Sequence, residues 1–360
     1  MEKIFQKIFF VFMFVSFGVI SFFGFSFLMK EKSIEINPIS NKVSKTENKK
    51  FFEDKTITLI LVGDIMLDRG VKSQIKKYND WRWPFLKIAE DFKKEDIVFG
   101  NLEGPISDKG TKVGSIYSFR ADPKVIEGLT YAGFNVLSLA NNHALDYGRE
   151  ALKDTLLRLK EAGINYVGAG FNEKEAFSPL IIEIKHEING NANEVKGTKI
   201  GFLAYTNLGS KSWRASGENP GLAWINENDF ERIKEDIKSA KEKSDILIVS
   251  LHSGNEYQKE PNQFQVNFAK MAIDSGADLV VGHHPHVVQK NERYKHGWIF
   301  YSLGNFIFDQ RFSQETMRGQ IIKVLIKNGK IKEVFPIEIK INFSFQPEIK
   351  NSHDEDQSSW

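Results

Sequence analysis

Six short apolar runs of this 360-residue sequence each end in residues that can bind a metal ion or transfer a proton. One run, 134–139, predicts a buried strand, and Asn142, His143 and Asp146 follow it before a helix begins after Gly148. Open α/β sheets place their ligands at the carboxyl ends of strands. A capping Asn or a core His would explain one such run, but six together predict a metal or acid–base site. The other five runs are followed by Asp64, by Asn101 and Glu103, by His252, by His283, His284 and His286, and by Asn305.

Strand-like and helical segments alternate along the chain, which predicts one α/β domain covering residues 55–346. The Asn189-Gly190-Asn191 turn signal predicts a hairpin between the strands Leu180–Ile188 and Lys199–Tyr205. Periodicity and capping residues predict the helices Pro84–Lys94, Asp122–Ala132, Arg149–Ala162, Asn226–Lys243 and Gln263–Ser275.

The N-terminal region predicts a membrane anchor. Residues 8–29 carry no charge and are long enough to span a bilayer, and lysines precede them, so residues 1–7 are expected in the cytoplasm. A cleaved signal peptide is the alternative, but no convincing cleavage site follows. The polar residues 30–54 predict a flexible linker, and 347–360 a disordered tail. The catalytic domain of a single-pass protein of the cell membrane would then be extracytoplasmic.

Composition restricts the chemistry of the site. The chain has no cysteine, so a metal must be held by His, Asp, Glu or Asn, which suits Zn, Mn or Fe. Carboxylates and imidazoles in this number suggest two ions that would activate water and hold a phosphoryl group. Residues 1–55 carry nine bases against six acids, and the rest carries 40 bases against 41 acids. A nearly neutral domain argues against nucleic acid as a partner.

These motifs resemble the CapA (PgsA) family of capsule and poly-γ-glutamate synthesis, within the calcineurin-like metallophosphoesterase superfamily. The resemblance covers about residues 57–308 and implies a four-layer α-β-β-α sandwich, two sheets face to face with helices outside. The segments that carry it are Gly63-Asp64-Ile65-Met66-Leu67, Asn101-Leu102-Glu103-Gly104, Asn142-His143-Ala144-Leu145-Asp146, His252-Ser253-Gly254, Gly282-His283-His284-Pro285-His286 and Tyr301-Ser302-Leu303-Gly304-Asn305-Phe306.

The resemblance also implies roles for single residues. Asp64 and His286 would bind one metal ion, Glu103 would stand where phosphatases have a bridging Asp, and a general acid would protonate the leaving oxygen. That acid would be His143, steadied by Asp146. The ligands of the second ion would be Asn142, His252 and His284.

The sequence departs from the superfamily pattern at one position. Phosphatases usually have a His two residues after the first Asp, where this chain has Met66, and Asp68 could compensate or be an ordinary surface Asp. The first metal site is therefore expected to be the weaker one. His283 could also replace His284 as the ligand.

Several residues outside the metal set are candidates for binding or support. Arg69, Arg120 and Asn305 are candidates for binding an anionic substrate, although a structural ion pair would explain either arginine as well. Glu256 and Tyr257, which follow His252, are expected to support the metal ligands.

Three functions remain open. The first is a membrane-anchored, extracytoplasmic, metal-dependent hydrolase of capsule or poly-γ-glutamate synthesis. It would act on an anionic polymer or a phosphoester, with other subunits of a polymer synthase as partners. The second is a metallophosphatase for nucleotides or lipid-linked envelope intermediates. The third is a non-catalytic scaffold subunit of a polymer synthase. The pair of His143 and Asp146 favours catalysis, and Met66 favours the scaffold.

Overall fold

The computed structural model describes residues 56–113, 116–188 and 191–350. The predicted cytoplasmic segment, membrane anchor and linker, residues 1–54, lie outside the described residues. In the part of the chain that the structure describes, no helix has both the length and the apolar character needed to cross a membrane.

The described segments contain strands that alternate with helices over most of their length. The strands are β1 (Ile57–Ile65), β2 (Ile97–Leu102), β3 (Val136–Ser138), β4 (Asn165–Val167), β5 (Ala169–Gly170), β6 (Leu180–Ile188), β7 (Asn191–Thr206), β8 (Gly221–Leu222), β9 (Ile246–His252), β10 (Leu279–His283), β11 (Asn291–Tyr294), β12 (Gly297–Phe300), β13 (Asn305–Ile307), β14 (Arg318–Lys327), β15 (Lys330–Ile341) and β16 (Pro347–Ile349). The helices are α1 (Arg69–Tyr78), α2 (Ala89–Phe92), α3 (Ile126–Tyr131), α4 (Gly148–Glu161), α5 (Glu173–Phe177), α6 (Phe230–Glu242) and α7 (Gln263–Asp274).

The first sheet has the strand order β16-β15-β14-β1-β2-β3-β4. Strands β1 to β4 run parallel, and β14 to β16 extend the sheet antiparallel on the other side of β1. Strand β14 pairs with residues 57–61 of β1, and the parallel strand β13 pairs with residues 64–65. The carboxyl end of β1 therefore has β2 on one side and β13 on the other.

The second sheet has the strand order β11-β12-β10-β9-β7-β6. Its four inner strands are parallel, and the two edge strands are antiparallel to their neighbours. The predicted hairpin is confirmed, since β6 and β7 pair antiparallel, and β7 begins earlier than expected, at Asn191. Strands β5 and β8 form a separate small sheet.

Three apolar clusters show how the layers stack. Leu59 and Phe99 of the first sheet pack with Phe202 and Ile248 of the second, so the sheets lie face to face. The opposite side of the first sheet packs against α1 to α4, and the opposite side of the second against α6 and α7. Alternate residues of a strand point to opposite faces, which is why Ile60 faces the helices while Leu59 faces the other sheet. The predicted α/β class is confirmed, with helices outside two facing sheets.

The structure corrects several boundaries. The predicted helix Pro84–Lys94 is a 3-10 turn at Trp83–Phe85 followed by the one-turn helix α2, which has no side-chain cap at its start. Helix α1 was not predicted, because only Val71 and Ile75 in this lysine-rich segment are buried. The sheet also continues past residue 346, since β16 pairs with β15 where the tail was expected to begin.

Candidate metal centre

The carboxyl ends of the parallel strands in both sheets meet at one place. In the first sheet, Asp64 of β1 lies opposite Asn101 of β2 on one side and Asn305 of β13 on the other. In the second sheet, His252 and His283 are register partners at the ends of β9 and β10. All five residues are 0% exposed. Polar groups buried this deeply need partners, so the contacts among them decide what the site can hold.

Asp64 receives several hydrogen-bond donors. The Asn101 amide donates to its Oδ1 at 2.8 Å, and the backbone N–H of His284 donates to its Oδ2 at 3.2 Å. The Nδ1 atoms of His283 and His286 lie 3.5 and 3.4 Å from its two oxygens. Burial alone would raise the pKa of Asp64, but the two imidazoles outweigh it and hold this pKa well below the ordinary range. Asp64 is therefore a carboxylate in the folded protein.

Glu103 follows β2 and has the opposite character. It is 2% exposed, and neither of its carboxyl oxygens has a hydrogen-bond partner among the described residues. Burial first, and then the charge of Asp64, raise the pKa of Glu103 well above its ordinary value. A buried, unpartnered carboxyl beside a carboxylate is costly without a proton or a cation between them. This arrangement is typical of a metal-binding site.

His252 joins the two sheets through amide side chains. The Asn101 amide nitrogen lies 3.1 Å from its Nδ1, and Asn142 Oδ1 lies 2.7 Å from its Nε2. The Asn101 amide nitrogen is identified by its hydrogen bond to Asp64, so Nδ1 of His252 accepts and Nε2 carries the proton. Burial, and then His284, lower the pKa of His252 well below its ordinary value. The ring is thus neutral, which is the form that binds metals.

The two histidines that flank Pro285 stand beside this group. His284 and His286 both have positive φ angles, 98° and 57°, which are unusual for residues with a side chain. Burial, and then the charge of His286, lower the pKa of His284 to about 3. His284 Nδ1 and both ring nitrogens of His283 have no hydrogen-bond partner in the described residues. These three nitrogens are positioned to bind a metal ion.

Asn305 determines which nitrogen of His286 is free. The Asn305 amide nitrogen donates to the carbonyl of Thr316 at 3.0 Å, so its oxygen is the atom 2.9 Å from His286 Nδ1. Nδ1 must then donate its proton to Asn305, so Nε2 is the nitrogen of the ring that is left to bind a metal ion. Asn305, a candidate substrate-binding residue, is placed here as the partner that orients a candidate ligand.

Ligand-type atoms converge in two sets that share His286. One atom each from Asp64, Glu103 and His286 lie within 4.8 Å of one another, and so do atoms from Glu256, His284 and His286. Glu256 was expected as support for the ligands, and the structure places it among the candidate donors. Two buried carboxyl groups, the exposed carboxyl group of Glu256 and two buried imidazoles offer oxygen and nitrogen ligands that fit a divalent metal ion.

His143 and Asp146 form a hydrogen-bonded pair at the edge of the centre. His143 Nδ1 lies 2.8 Å from Asp146 Oδ2, which also accepts the backbone N–H of Phe119 at 2.8 Å. His143 Nε2 lies 4.0 Å from Glu103 Oε2, and the imidazole packs on the Phe119 ring with centroids 4.1 Å apart. With Nδ1 donating to Asp146, Nε2 is the nitrogen that faces the cluster.

The two candidate arginines make other contacts. Arg69 forms a two-pronged pair with Asp309, and its guanidinium lies 5.1 Å from the Phe119 ring centroid. Arg120 donates to the backbone carbonyls of residues 109 and 110, and its guanidinium lies over a tyrosine ring. Arg69 thus borders the His143 pocket with its charge already paired, whereas Arg120 holds a loop.

The position two residues after Asp64 is filled by an apolar side chain. Met66 is fully buried, and its sulfur accepts the backbone N–H of Asp68 at 3.1 Å. Asp68 does not replace a ligand here, because its carboxylate accepts the Arg120 backbone N–H at 2.9 Å and lies 3.5 Å from Lys72.

Sequence reasoning missed the amides that organise the centre. Asn101 was noted at a strand end but given no role, although it contacts both Asp64 and His252. Asn141 donates to Asn101 Oδ1 at 3.3 Å and to the carbonyl of Leu102 at 2.7 Å. The only sequence signal for these two asparagines was their position, since each directly follows an apolar run. The Asp309 partner of Arg69 had no local signal.

The chain is similar to a family model and to several described proteins. The family model described as "Bacterial capsule synthesis protein PGA_cap" matches residues 58–310. A capsule biosynthesis protein CapA of Bacillus anthracis is 36% identical over 294 residues, 80% of this chain and 69% of the relative. A PGA biosynthesis protein CapA of Bacillus subtilis is 32% identical over 82% of this chain and 75% of its own length. A Mycobacterium tuberculosis protein described as a probable polyglutamine synthesis accessory protein is 30% identical over 70% of this chain and 74% of its own length.

A solved structure described as a novel phosphatase from Mycoplasma pneumoniae aligns with 80% of this chain and 94% of its own. Its sequence identity to this chain is 17%, and the TM-score is 0.46.

Proposed function

This chain belongs to the PGA_cap family of bacterial capsule synthesis proteins, and from that membership we propose that it is a metal-dependent hydrolase of capsule or poly-glutamate synthesis. The observation that carries the enzymatic part is Glu103, a buried carboxyl group without a hydrogen-bond partner among the described residues, which offers an oxygen within 4.8 Å of ligand atoms of Asp64 and His286. The chemistry would resemble that of metallophosphoesterases, with an anionic polymer or a phosphoester as substrate.

The proposed metal-binding residues are Asp64, Glu103 and His286 for one ion and His284, His286 and Glu256 for a second, with Asn142 and His252 beside them. Manganese, zinc and iron suit this ligand set. When bound, such ions supply an activated water and neutralise the negative charge of a substrate.

The residues of the chain would then orient the substrate and move a proton. Asp146 accepts the Nδ1 proton of His143 and fixes the imidazole, which leaves Nε2 to hold a proton and give it to a leaving oxygen. The Phe119 ring covers one face of the imidazole and limits its contact with water. The Arg69 guanidinium, 5.1 Å from the centroid of the same ring, would add positive charge there, although Asp309 balances most of it.

The place of action is part of the same proposal. The apolar residues 8–29 would anchor the chain in the cell membrane and hold the domain outside the cytoplasm through the linker 30–54. Other subunits of a polymer synthase would be its partners there.

Met66 favours a second candidate function, a non-catalytic scaffold. A buried apolar residue stands where phosphatases usually have a histidine, so one ion site would have fewer ligands. A scaffold would keep the fold and the anchor but need no turnover. The same measurements separate the two functions.

The experiment compares metal content and turnover in the full chain. Purified protein is stripped with chelator, reloaded with Mn or Zn, analysed for bound metal, and assayed with p-nitrophenyl phosphate and bis-p-nitrophenyl phosphate. His143→Asn is expected to retain metal and to lower turnover about 10²- to 10⁴-fold, the usual contribution of a general acid. Asp146→Asn should cause a smaller loss, since it only orients the ring. His296→Asn, at the β11–β12 turn, is the matched control and should change neither quantity.

Two results would contradict the proposal. Reloaded wild-type protein that holds no metal would exclude the metal centre. The scaffold would be favoured if purified metal-loaded protein cleaved neither ester and if cells carrying His143→Asn made the normal amount of surface polymer.

A further inference from the structure

Large apolar side chains are exposed around the mouth of the metal centre. Ten large hydrophobic residues of the described chain are exposed, and half of them lie on three loops that follow β2, β9 and β13. Glu103 directly follows β2, His252 is the last residue of β9, and Asn305 is the first residue of the three-residue strand β13, so each loop begins close to the centre. We call the five residues the rim: Val113 (48% exposed), Ile116 (81%), Tyr117 (63%), Tyr257 (41%) and Phe312 (65%).

Tyr257 is held firmly although it is exposed. It has a φ of 63°, and its backbone N–H donates to the carbonyl of Pro285 at 2.8 Å, which fixes its loop over the histidine pair. Its ring packs edge-on against Phe312 with centroids 5.0 Å apart, and lies 6.1 Å from the His286 ring. A strained backbone at a ligand-facing position is typical of a functional residue.

A chain of hydrogen bonds connects Tyr257 to the centre. Gln310 donates to the Tyr257 hydroxyl at 3.2 Å and accepts from Asn305 at 3.1 Å, and Asn305 in turn accepts from His286. The exposed phenol is therefore positioned by the same residues that orient a candidate metal ligand.

The part of the rim on the loop after β2 is hydrogen-bonded to the segment that carries His143 and Asp146. The backbone N–H of Val113 donates to the carbonyl of Asp146 at 2.9 Å. The Phe119 ring, two residues after Tyr117, lies 4.1 Å from the His143 ring and 5.9 Å from the Phe308 ring between centroids, and the Phe308 ring lies 4.7 Å from that of His286. Since Tyr257 packs beside His286, both halves of the rim border the same opening.

Each half of the rim also carries a cation. Lys112 Nζ lies 3.5 Å from the carbonyl of Ile116, and the Arg311 guanidinium lies 4.1 Å from the centroid of the Phe345 ring. Neither forms a salt bridge with an acidic side chain of the described chain. Positive charges beside exposed rings suit a ligand that alternates apolar segments with negative groups.

We propose that the rim binds an extended anionic polyamide, which lies across the metal centre between Tyr257 and Phe312 on one side and Ile116 and Tyr117 on the other. The methylene groups and amide planes of such a chain would pack on the rings, and its carboxylates would reach Lys112 and Arg311. The proposal rests on the proposed role in poly-glutamate synthesis and makes the length of the substrate a determinant of affinity. A membrane surface is the less suitable occupant, because recognition of anionic lipids usually uses a cluster of about four to eight basic residues.

Binding measurements with the metal-loaded full chain test the rim without needing turnover. The ligands are γ-linked glutamate oligomers of ten and of two units, measured by titration calorimetry. Wild-type protein should bind the longer oligomer at least about tenfold more tightly, since only the longer chain reaches the aromatic rings on both sides of the opening. Phe312→Ala and Tyr257→Ala should remove most of that difference, because they weaken binding of the ten-unit oligomer much more than binding of the dimer. Tyr257→Phe keeps the ring and should retain the preference, and Phe335→Ala, an exposed aromatic residue in the middle of β15, is the matched control.

Three outcomes would overturn the proposal: equal affinity of wild-type protein for both oligomers, equal weakening of both by the rim variants, or rim-dependent binding to phosphatidylglycerol vesicles without binding of the long oligomer. A wild-type protein that prefers the long oligomer but cleaves no substrate would retain the rim and contradict the proposed hydrolase alone.

Discussion

Replacing Glu103 with Gln is expected to preserve or raise the stability of the metal-free protein and to lower that of the metal-bound protein. Burial, and then the Asp64 charge, raise the pKa of Glu103 well above its ordinary value of 4.5, so without metal the folded state disfavours the charged form of this side chain. Gln has nearly the same shape as the protonated side chain and no charge. The free energy of unfolding of the metal-free variant at pH 7 should therefore equal or exceed that of the wild type.

The pH dependence follows from the same shift. A carboxyl group whose pKa is higher in the folded state stabilises the fold fully below pH 4.5, and this contribution is lost as the pH rises toward the folded pKa. The pKa of Asp64 is lowered, so its contribution is lost only as the pH falls below 3.8. The pH ranges over which these two contributions are lost do not overlap. The metal-free wild type should lose stability above pH 4.5 relative to the Gln variant.

With metal the order reverses. An ion present at about 100 times its dissociation constant stabilises the fold by about 2.7 kcal/mol. Loss of a charged ligand should weaken binding by at least about 100-fold, the upper end of what an outer hydrogen-bond partner contributes. The variant would then gain only about 0.4 kcal/mol at the same metal concentration. For roughly 300 residues at about 2 cal/mol/K each, the shift in melting temperature falls from about 4 °C to below about 1 °C.

Calorimetric melting of chelated and metal-loaded protein between pH 4 and 8 measures both effects. Glu242→Gln, at the exposed end of α6, is the matched control and should behave as wild type. A Gln variant that is clearly less stable without metal would show that Glu103 is ionised in the native state. If metal raised the melting temperature of the Gln variant as much as that of the wild type, Glu103 would not be a ligand.

Three other predictions concern the frame around the centre and its location. Gly63→Ala should destabilise the fold by about 3 kcal/mol or more in denaturant titrations, because the added Cβ would lie 1.9 Å from the carbonyl oxygen of Gly304; a loss below about 0.5 kcal/mol would contradict the close approach. Asp309→Ala should lower the free energy of unfolding by about 1 kcal/mol, chiefly through the start of α1, since the pair with the partly exposed Arg69 contributes little; an unchanged urea midpoint would refute it. The full chain should sediment with membranes and resist salt extraction if residues 8–29 anchor it, and recovery of a mature N-terminus beyond them would exclude an anchor.

Much of the site could be predicted because parallel strands have a shared direction. Once alternating strands and helices indicate a parallel sheet, the residues after each strand must lie at one edge. Asp64, His252 and His286 could therefore be grouped although more than 200 residues separate the first from the last. The apolar run before Asp64 likewise indicated a strand, and the alternation of side chains along it explains why Leu59 and Ile60 are buried on opposite faces.

The partners of these residues were decided by tertiary structure. Arg69 pairs with Asp309, 240 positions away, and no local pattern marks either residue for the other. The sequence likewise does not show that the Asn305 oxygen faces His286, because the carbonyl of Thr316 fixes that amide. Periodicity and turn chemistry act between near neighbours, whereas the direction of a hydrogen bond and the charge state of a buried carboxyl depend on every group packed around it. The sequence alone thus determined which residues meet, and packing decided which of them are free to bind.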